Sequence, residues 1–234
     1  MVEIYAHRGL HRHTRENTLN AFRGAALMRC DGVELDVRQS ADGALVVHHD
    51  PSIEGRAIAS TDAKYLPSYV PTLEDALAAC GDLRVNVEIK NLREPDEPTY
   101  DDTGAFAQGV VALIERMDRA EGIVISSFDL ATCASVRALA PEMAVGWLLD
   151  WRLDPMASLA SAHALRLDAL HPYFGVVEAP LVTRAHQLGM ALNVWTVDTE
   201  GDIVAMIELG VDAVITNEPA LALALARSRP GDRI

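Results

Sequence analysis

Little in this chain is basic: 20 lysines and arginines stand against 34 aspartates and glutamates, a formal net charge of −14. That balance argues against a broad nucleic-acid or anionic-membrane footprint. It also makes any basic residue inside a polar site informative, and Arg8, beside His7, and Lys90 are such residues. Cysteine is scarce. Cys30, Cys80 and Cys133 are widely spaced with no CxxC, so they read as buried apolar residues or free thiols and not as metal ligands or disulfide partners. No apolar run reaches the ~18 residues that a membrane span needs. Met1-Val2-Glu3-Ile4-Tyr5 lacks the basic start and apolar core of a secretory leader, so the expected location is cytoplasmic. The 234 residues, half of them hydrophobic, can bury a substantial core and fit one large domain or two small ones.

What is present is organised around one stretch, Gly32-Val33-Glu34-Leu35-Asp36-Val37-Arg38, a turn at Asp42-Gly43, and Ala44-Leu45-Val46-Val47-His48-His49-Asp50. Apolar alternation on both arms and Asp-Gly at the reversal predict a β-hairpin. Glu34 and Asp36 are two apart, so a strand aims both carboxylates at one face. Pairing about the turn returns His49 to roughly the level of Glu34, so two acids and an imidazole share a wall. The adjacent His48 points the other way.

Around this hairpin, strands alternate with helices. Strands are predicted at 4–6, 84–90, 123–128, 144–149, 169–172, 191–197 and 212–217, with helical patterns between them and a terminal helix after Pro219. Residues 50–69 read as a loop, as does the acid- and proline-rich segment after Lys90. Such alternation means a parallel sheet with helices outside. With 44–49 counted as a hairpin return, about eight parallel strands remain, the number of a (β/α)8 TIM barrel. A doubly wound sheet is the alternative, but no glycine-rich dinucleotide fingerprint follows the first strand.

Barrel enzymes work at the C-terminal ends of their strands. Here those ends carry His7-Arg8, Glu34 and Asp36, Glu88 and Lys90, Ser127-Phe128, His171, Asn193 and Trp195, and Thr216-Asn217, whereas the strand starts are mainly apolar or small. Glu34, Asp36 and Glu88 around one cavity would repel one another. A hard divalent cation resolves this, and oxygen ligands favour Mg²⁺ or Ca²⁺ over Zn²⁺. Ion pairs to Arg8, Arg38 and Lys90 resolve it equally well, and spacing leaves both open. His7 and His49 are groups of the kind that acid–base catalysis requires. Arg8 can grip a phosphate oxygen through its planar fork. Phe128 and Trp195 fit either a core or a substrate wall. Glu16 and Asn17 read as bracing residues at a helix start, and His11 and His13 as solvated groups of a loop.

In these motifs the sequence resembles the glycerophosphodiester phosphodiesterase family of PLC-like barrels. The matches run in order through most of the chain: Ala6-His7-Arg8-Gly9, Glu16-Asn17-Thr18, Glu34-Leu35-Asp36-Val37, Val46-Val47-His48-His49-Asp50, Pro71-Thr72-Leu73-Glu74, Val87-Glu88-Ile89-Lys90, Ser127-Phe128, Val194-Trp195-Thr196-Val197, and Gly210-Val211-Asp212 through Ile215-Thr216. The resemblance implies a single TIM-barrel domain over 1–234 that hydrolyses a small-molecule glycerophosphodiester to sn-glycerol 3-phosphate and an alcohol. It implies His7 and His49 as general acid and base, and Glu34, Asp36 and Glu88 as ligands of one divalent ion, Mg²⁺ or Ca²⁺. Arg8 and Lys90 would hold the phosphate, and Phe128 and Trp195 would line the substrate. The segment 51–70 departs from the family: it is short and lacks the Arg-Thr-Thr and glycine signature of many members, which implies a more open cleft, compatible with lipid-like substrates. Lysophospholipase D or sphingomyelinase D chemistry on the same barrel is the near alternative, though Glu88 in its strand speaks against the latter. A non-catalytic phosphate-binding barrel would be expected to lack one of these groups, and none is missing.

Overall fold

The computed structural model describes residues 2–93 and 99–228. In chain order they form β1 (Glu3–His7), α1 (Leu19–Met28), β2 (Gly32–Gln39), β3 (Leu45–Val47), β4 (Ser52–Ile53), β5 (Arg56–Ala57), α2 (Leu73–Cys80), β6 (Arg84–Ile89), α3 (Ala105–Arg116), β7 (Ile123–Ser127), α4 (Leu130–Leu139), β8 (Ala144–Leu149), α5 (Pro155–Ala164), β9 (Ala169–Pro172), α6 (Ala179–Gln187), β10 (Ala191–Val194), α7 (Glu200–Leu209), β11 (Ala213–Thr216) and α8 (Pro219–Arg227). Eight parallel strands run β1-β2-β6-β7-β8-β9-β10-β11, and β1 pairs with both β2 and β11, so the sheet closes on itself. This is the expected (β/α)8 barrel, and β3 hangs antiparallel on β2 as the hairpin excursion. None of the described helices is long and apolar enough to cross a membrane.

Strand alternation sorts side chains between two cores. On β1, Ile4 and Ala6 face outward into the main apolar cluster under the helices, while Tyr5 joins Ala213 and Ile215 in a separate small cluster. On β2, Val33, Leu35 and Val37 enter the same main cluster, which leaves Glu34, Asp36 and Arg38 to the opposite face. Fully burying each such aliphatic side chain is worth ~1.5–3 kcal/mol, so the outer face of the strand fixes where its acids point. The three cysteines are buried and free, as expected.

Two details differ from the sequence reading. Val37 pairs with Val47, and His48 N–H donates to the Asp36 carbonyl, so the ladder ends before His49, which the sequence reading places on the strand. Residues 50–69 are not plain loop: β4 and β5 pair, and two single 3₁₀ turns follow at Ile58–Ser60 and Ala63–Tyr65. Of the loop after Lys90, residues 94–98 lie outside the described residues.

The turn after β1 is tightly built. Arg8 and Gly9 have φ of 54° and 81°, and Asn17, whose N–H donates to the Arg8 carbonyl, has φ of 54°. A Cβ on Gly9 would lie 2.8 Å from the carbonyl carbon and Cβ of Ala21 in α1. Left-handed backbone and contact together require glycine. Gly9→Ala is expected to lower unfolding stability by about 2 kcal/mol or more in a urea titration; a wild-type midpoint would show that α1 yields at no cost.

Candidate active site

β2 and β6 pair in parallel with Asp36 opposite Glu88, which brings the third carboxylate beside the first two. Glu34, Asp36 and Glu88 are 3%, 1% and 6% exposed, and each offers an oxygen within 4.8 Å of the others'. Lys90 Nζ reaches between two of them, 2.9 Å from Asp36 Oδ1 and 2.6 Å from Glu88 Oε1. Arg8 Nε lies 3.3 Å from Asp36 Oδ2, and its Nη1 donates to Glu16 at 2.8 Å. Asn17 holds Asp36 from behind, donating to Oδ2 at 2.7 Å. Glu34 Oε2 accepts the Arg8 N–H at 3.1 Å, while its Oε1, buried, has no hydrogen-bond partner.

Electrostatics divides these acids. Burial works against the charge on Asp36, but Lys90 and Arg8 override it and hold its carboxyl well below the ordinary range. Glu34 is pushed up by burial and then by Asp36 and Glu88, and Glu88 is pushed up chiefly by burial. Three carboxylates against two cations leave excess negative charge in a buried site. An all-oxygen set with an orphaned buried oxygen fits a hard divalent cation, which Glu34, Asp36 and Glu88 could hold together.

Two imidazoles stand above the acids. His7 Nδ1 lies 2.8 Å from Asn217 Oδ1. Asn217 Nδ2 donates to Asp198 at 2.7 Å, so its oxygen is the accepting end and His7 must carry its proton on Nδ1. His7 Nε2 is therefore the bare nitrogen, 3.8 Å from Glu34 Oε2. Burial, then the Arg8 charge, lower the His7 pKa to about 4, so the ring is neutral near pH 7. His49 is more open and places Nδ1 2.8 Å from Asp50 Oδ1, which leaves its Nε2 free. Burial and the Lys90 charge lower its pKa.

His7, Arg8, Glu34, His49, Glu88, Lys90, Phe128 and Trp195 all line one cavity of about 130 Å³, with Asn86 and Leu148. Asp36 is not in that lining but pairs with Arg8 and Lys90, which are. Phe128 and Trp195 meet edge to face with ring centroids 5.3 Å apart, and Trp195 Nε1 donates to the His171 carbonyl at 2.7 Å. Of the candidate site residues, all but Asp36 thus line one cavity. Sequence reasoning missed the support behind them: it named Asn217 only as a strand end and His11 only as a loop residue, and it passed over Asp198, yet His11 Nε2 lies 3.0 Å from the same Asn217 oxygen. Glu16 and Asn17 do brace, as expected.

Known proteins resemble this chain in sequence and in fold. The sequence model of the glycerophosphoryl diester phosphodiesterase family matches residues 7–57 and 54–221. The chain belongs to that family. As a member it is a phosphoric diester hydrolase. A glycerophosphodiester phosphodiesterase of Caldanaerobacter subterraneus is 30% identical, over 96% of this chain and 97% of its own length. The crystal structure of a glycerophosphodiester phosphodiesterase from Parabacteroides distasonis superposes with a TM-score of 0.85 at 28% identity, covering 97% of this chain and 98% of that one. At 21% identity, a phosphodiesterase of Oleispira antarctica, solved with sn-glycerol-3-phosphate as product, shares the fold with a TM-score of 0.83 over 97% of both chains. A human lysophospholipase D is 24% identical over 93% of this chain and 83% of its own length.

Deeper in the barrel lies a histidine with a different task. His171 is 1% exposed, accepts from Asn193 Nδ2 at 3.0 Å, and is held by burial at a pKa of about 4. The unfolded chain protonates it near 6.5, so between these values the unfolded state binds more protons. Stability is present above pH 6.5 and lost as pH falls towards 4, by on the order of 3 kcal/mol. His171→Gln should flatten that acid limb in melts recorded from pH 7 to 4; an unchanged limb would assign it to other groups.

Proposed function

We propose that the cavity hydrolyses glycerophosphodiesters to sn-glycerol 3-phosphate and an alcohol with one divalent cation, Mg²⁺ or Ca²⁺, held by Glu34, Asp36 and Glu88. The observation that carries this is the unpartnered Glu34 Oε1 in a buried carboxylate triad, with the bare His7 Nε2 3.8 Å from Oε2 of the same Glu34. The bound ion would supply charge stabilisation to the phosphoryl oxygens. Arg8 and Lys90 add positive charge at the same place. His7, neutral with a free Nε2, takes the proton of the attacking hydroxyl, either water directly or the glycerol hydroxyl beside the phosphate, in which case water opens the resulting cyclic phosphate in a second step to give sn-glycerol 3-phosphate. As the new P–O bond forms, the bond to the alcohol breaks, and His49 in its protonated form, steadied by Asp50, gives a proton to the leaving oxygen. Phe128 and Trp195 form the apolar wall against the glycerol carbons. The product named for the Oleispira antarctica phosphodiesterase supports the same product here.

That wall, with Leu148, also favours a second reading, release of lysophosphatidic acid from a lysophospholipid, the class of activity named for the human relative. Incubation with glycerophosphocholine and with lysophosphatidylcholine, reading sn-glycerol 3-phosphate against lysophosphatidic acid, tests both. The first product should dominate; release of neither would overturn the proposal.

A further inference from the structure

β3 ends at Val47, and the last main-chain tie before the site is the bond from His48 N–H to the Asp36 carbonyl. His49 is therefore one step past the ladder, on backbone that no strand register holds. What grips it is Arg38. This arginine follows Glu34 and Asp36 on the same face of β2, is 7% exposed, and donates both Nε and Nη2 to the His49 carbonyl, at 2.8 and 2.6 Å. Two charge-assisted bonds from one planar fork fix both the position and the plane of that peptide. They tie it to the strand that carries two of the three acids. The position of His49 relative to Glu34 and Asp36 is thus held by the Arg38 guanidinium as well as by the neighbouring His48 N–H bond to the Asp36 carbonyl.

We propose that Arg38 is a positioning residue for the reaction, acting through His49 by holding its peptide at a fixed height over the carboxylates. This rests on the reading of His49 as the group that protonates the leaving alcohol. Arg38 itself touches no reacting atom. Its loss lets the imidazole drift, and a displacement of about 1 Å at a reacting group can cost 10²-fold in rate. Substrate binding to Arg8, Lys90 and the aromatic wall does not pass through Arg38, so the loss appears in kcat and not in KM.

The test is a double-mutant cycle on glycerophosphocholine turnover with Arg38→Met, Arg38→Lys and His49→Ala, each checked by thermal melt and assayed at saturating ion. Arg38→Met should lower kcat by ~10- to 100-fold with KM within about twofold. Arg38→Lys, which keeps the charge but supplies no fork, should recover part of it and covers the case in which the methionine variant does not fold. In the His49→Ala background, Arg38→Met should cost little more, because the two act as one unit. A full multiplicative loss in that background, a rise in KM in place of the fall in kcat, or wild-type turnover by both Arg38 variants would overturn the proposal. Near-normal turnover by His49→Ala alone would instead overturn the reading on which it rests.

Discussion

His7→Ala and His49→Ala should each lower kcat on glycerophosphocholine by ~10²-fold or more, the usual scale for a proton-transfer group, and a change of leaving group should separate them. His7 has its proton fixed on Nδ1 by an asparagine that is itself oriented by Asp198, and it titrates at about 4. Such a ring accepts a proton at Nε2. It serves the nucleophile, so His7→Ala should lose as much on a p-nitrophenyl ester of glycerol phosphate as on the choline ester. His49, open to the mouth and paired with Asp50, serves the departing oxygen. A nitrophenolate leaves without a proton, so His49→Ala should regain most of its activity on that substrate. The reverse pattern would exchange the roles; equal losses on both substrates by both variants would remove the distinction.

The second large effect concerns the ion. Burial and the neighbouring charges hold Glu34 and Glu88 above the ordinary carboxylate range. Without an ion these two carboxyls therefore hold more protons in the folded protein than in the unfolded chain above the ordinary carboxylate range, and their contribution to stability falls as pH rises through it. A divalent cation removes this penalty, so Mg²⁺ or Ca²⁺ at about 100 times its Kd should stabilise the fold by about 2.7 kcal/mol at neutral pH. Glu34→Gln separates this from a purely structural ion-pair network. Lys90 touches Asp36 and Glu88 but not Glu34, whose Oε1 has no partner to lose. The ion-free variant should be as stable as wild type or more so, yet show no rise in melting temperature with the ion and no turnover. A destabilised variant that still responds to the ion would favour the network.

The parts of this site that could be read from sequence are those set by local period. Glu34 and Asp36 share a face because a strand repeats every second residue, and Glu88 with Lys90 follows the same rule; parallel pairing then aligns the two strands. The barrel was legible for a similar reason, since most strands end in a polar residue and hand over to a helix. What stayed hidden depends on contacts with no sequence period. Asn217 meets His7 across 210 positions, only because β1 and β11 close the barrel. Arg38 pairs with a backbone carbonyl, which carries no side-chain signature. The two 3₁₀ turns within 50–69 lack periodicity because neither exceeds three residues. His11 looked like a solvated loop residue, and only the fold brings it to Asn217.

One measurement bears on the central claim more directly than any other: release of sn-glycerol 3-phosphate from glycerophosphocholine by protein stripped with a chelator and then titrated with Mg²⁺ or Ca²⁺, beside Glu34→Gln. The account predicts no product from the stripped protein, full recovery with one of the two ions, and none from the variant at any ion concentration. Undiminished turnover by the stripped protein would contradict it.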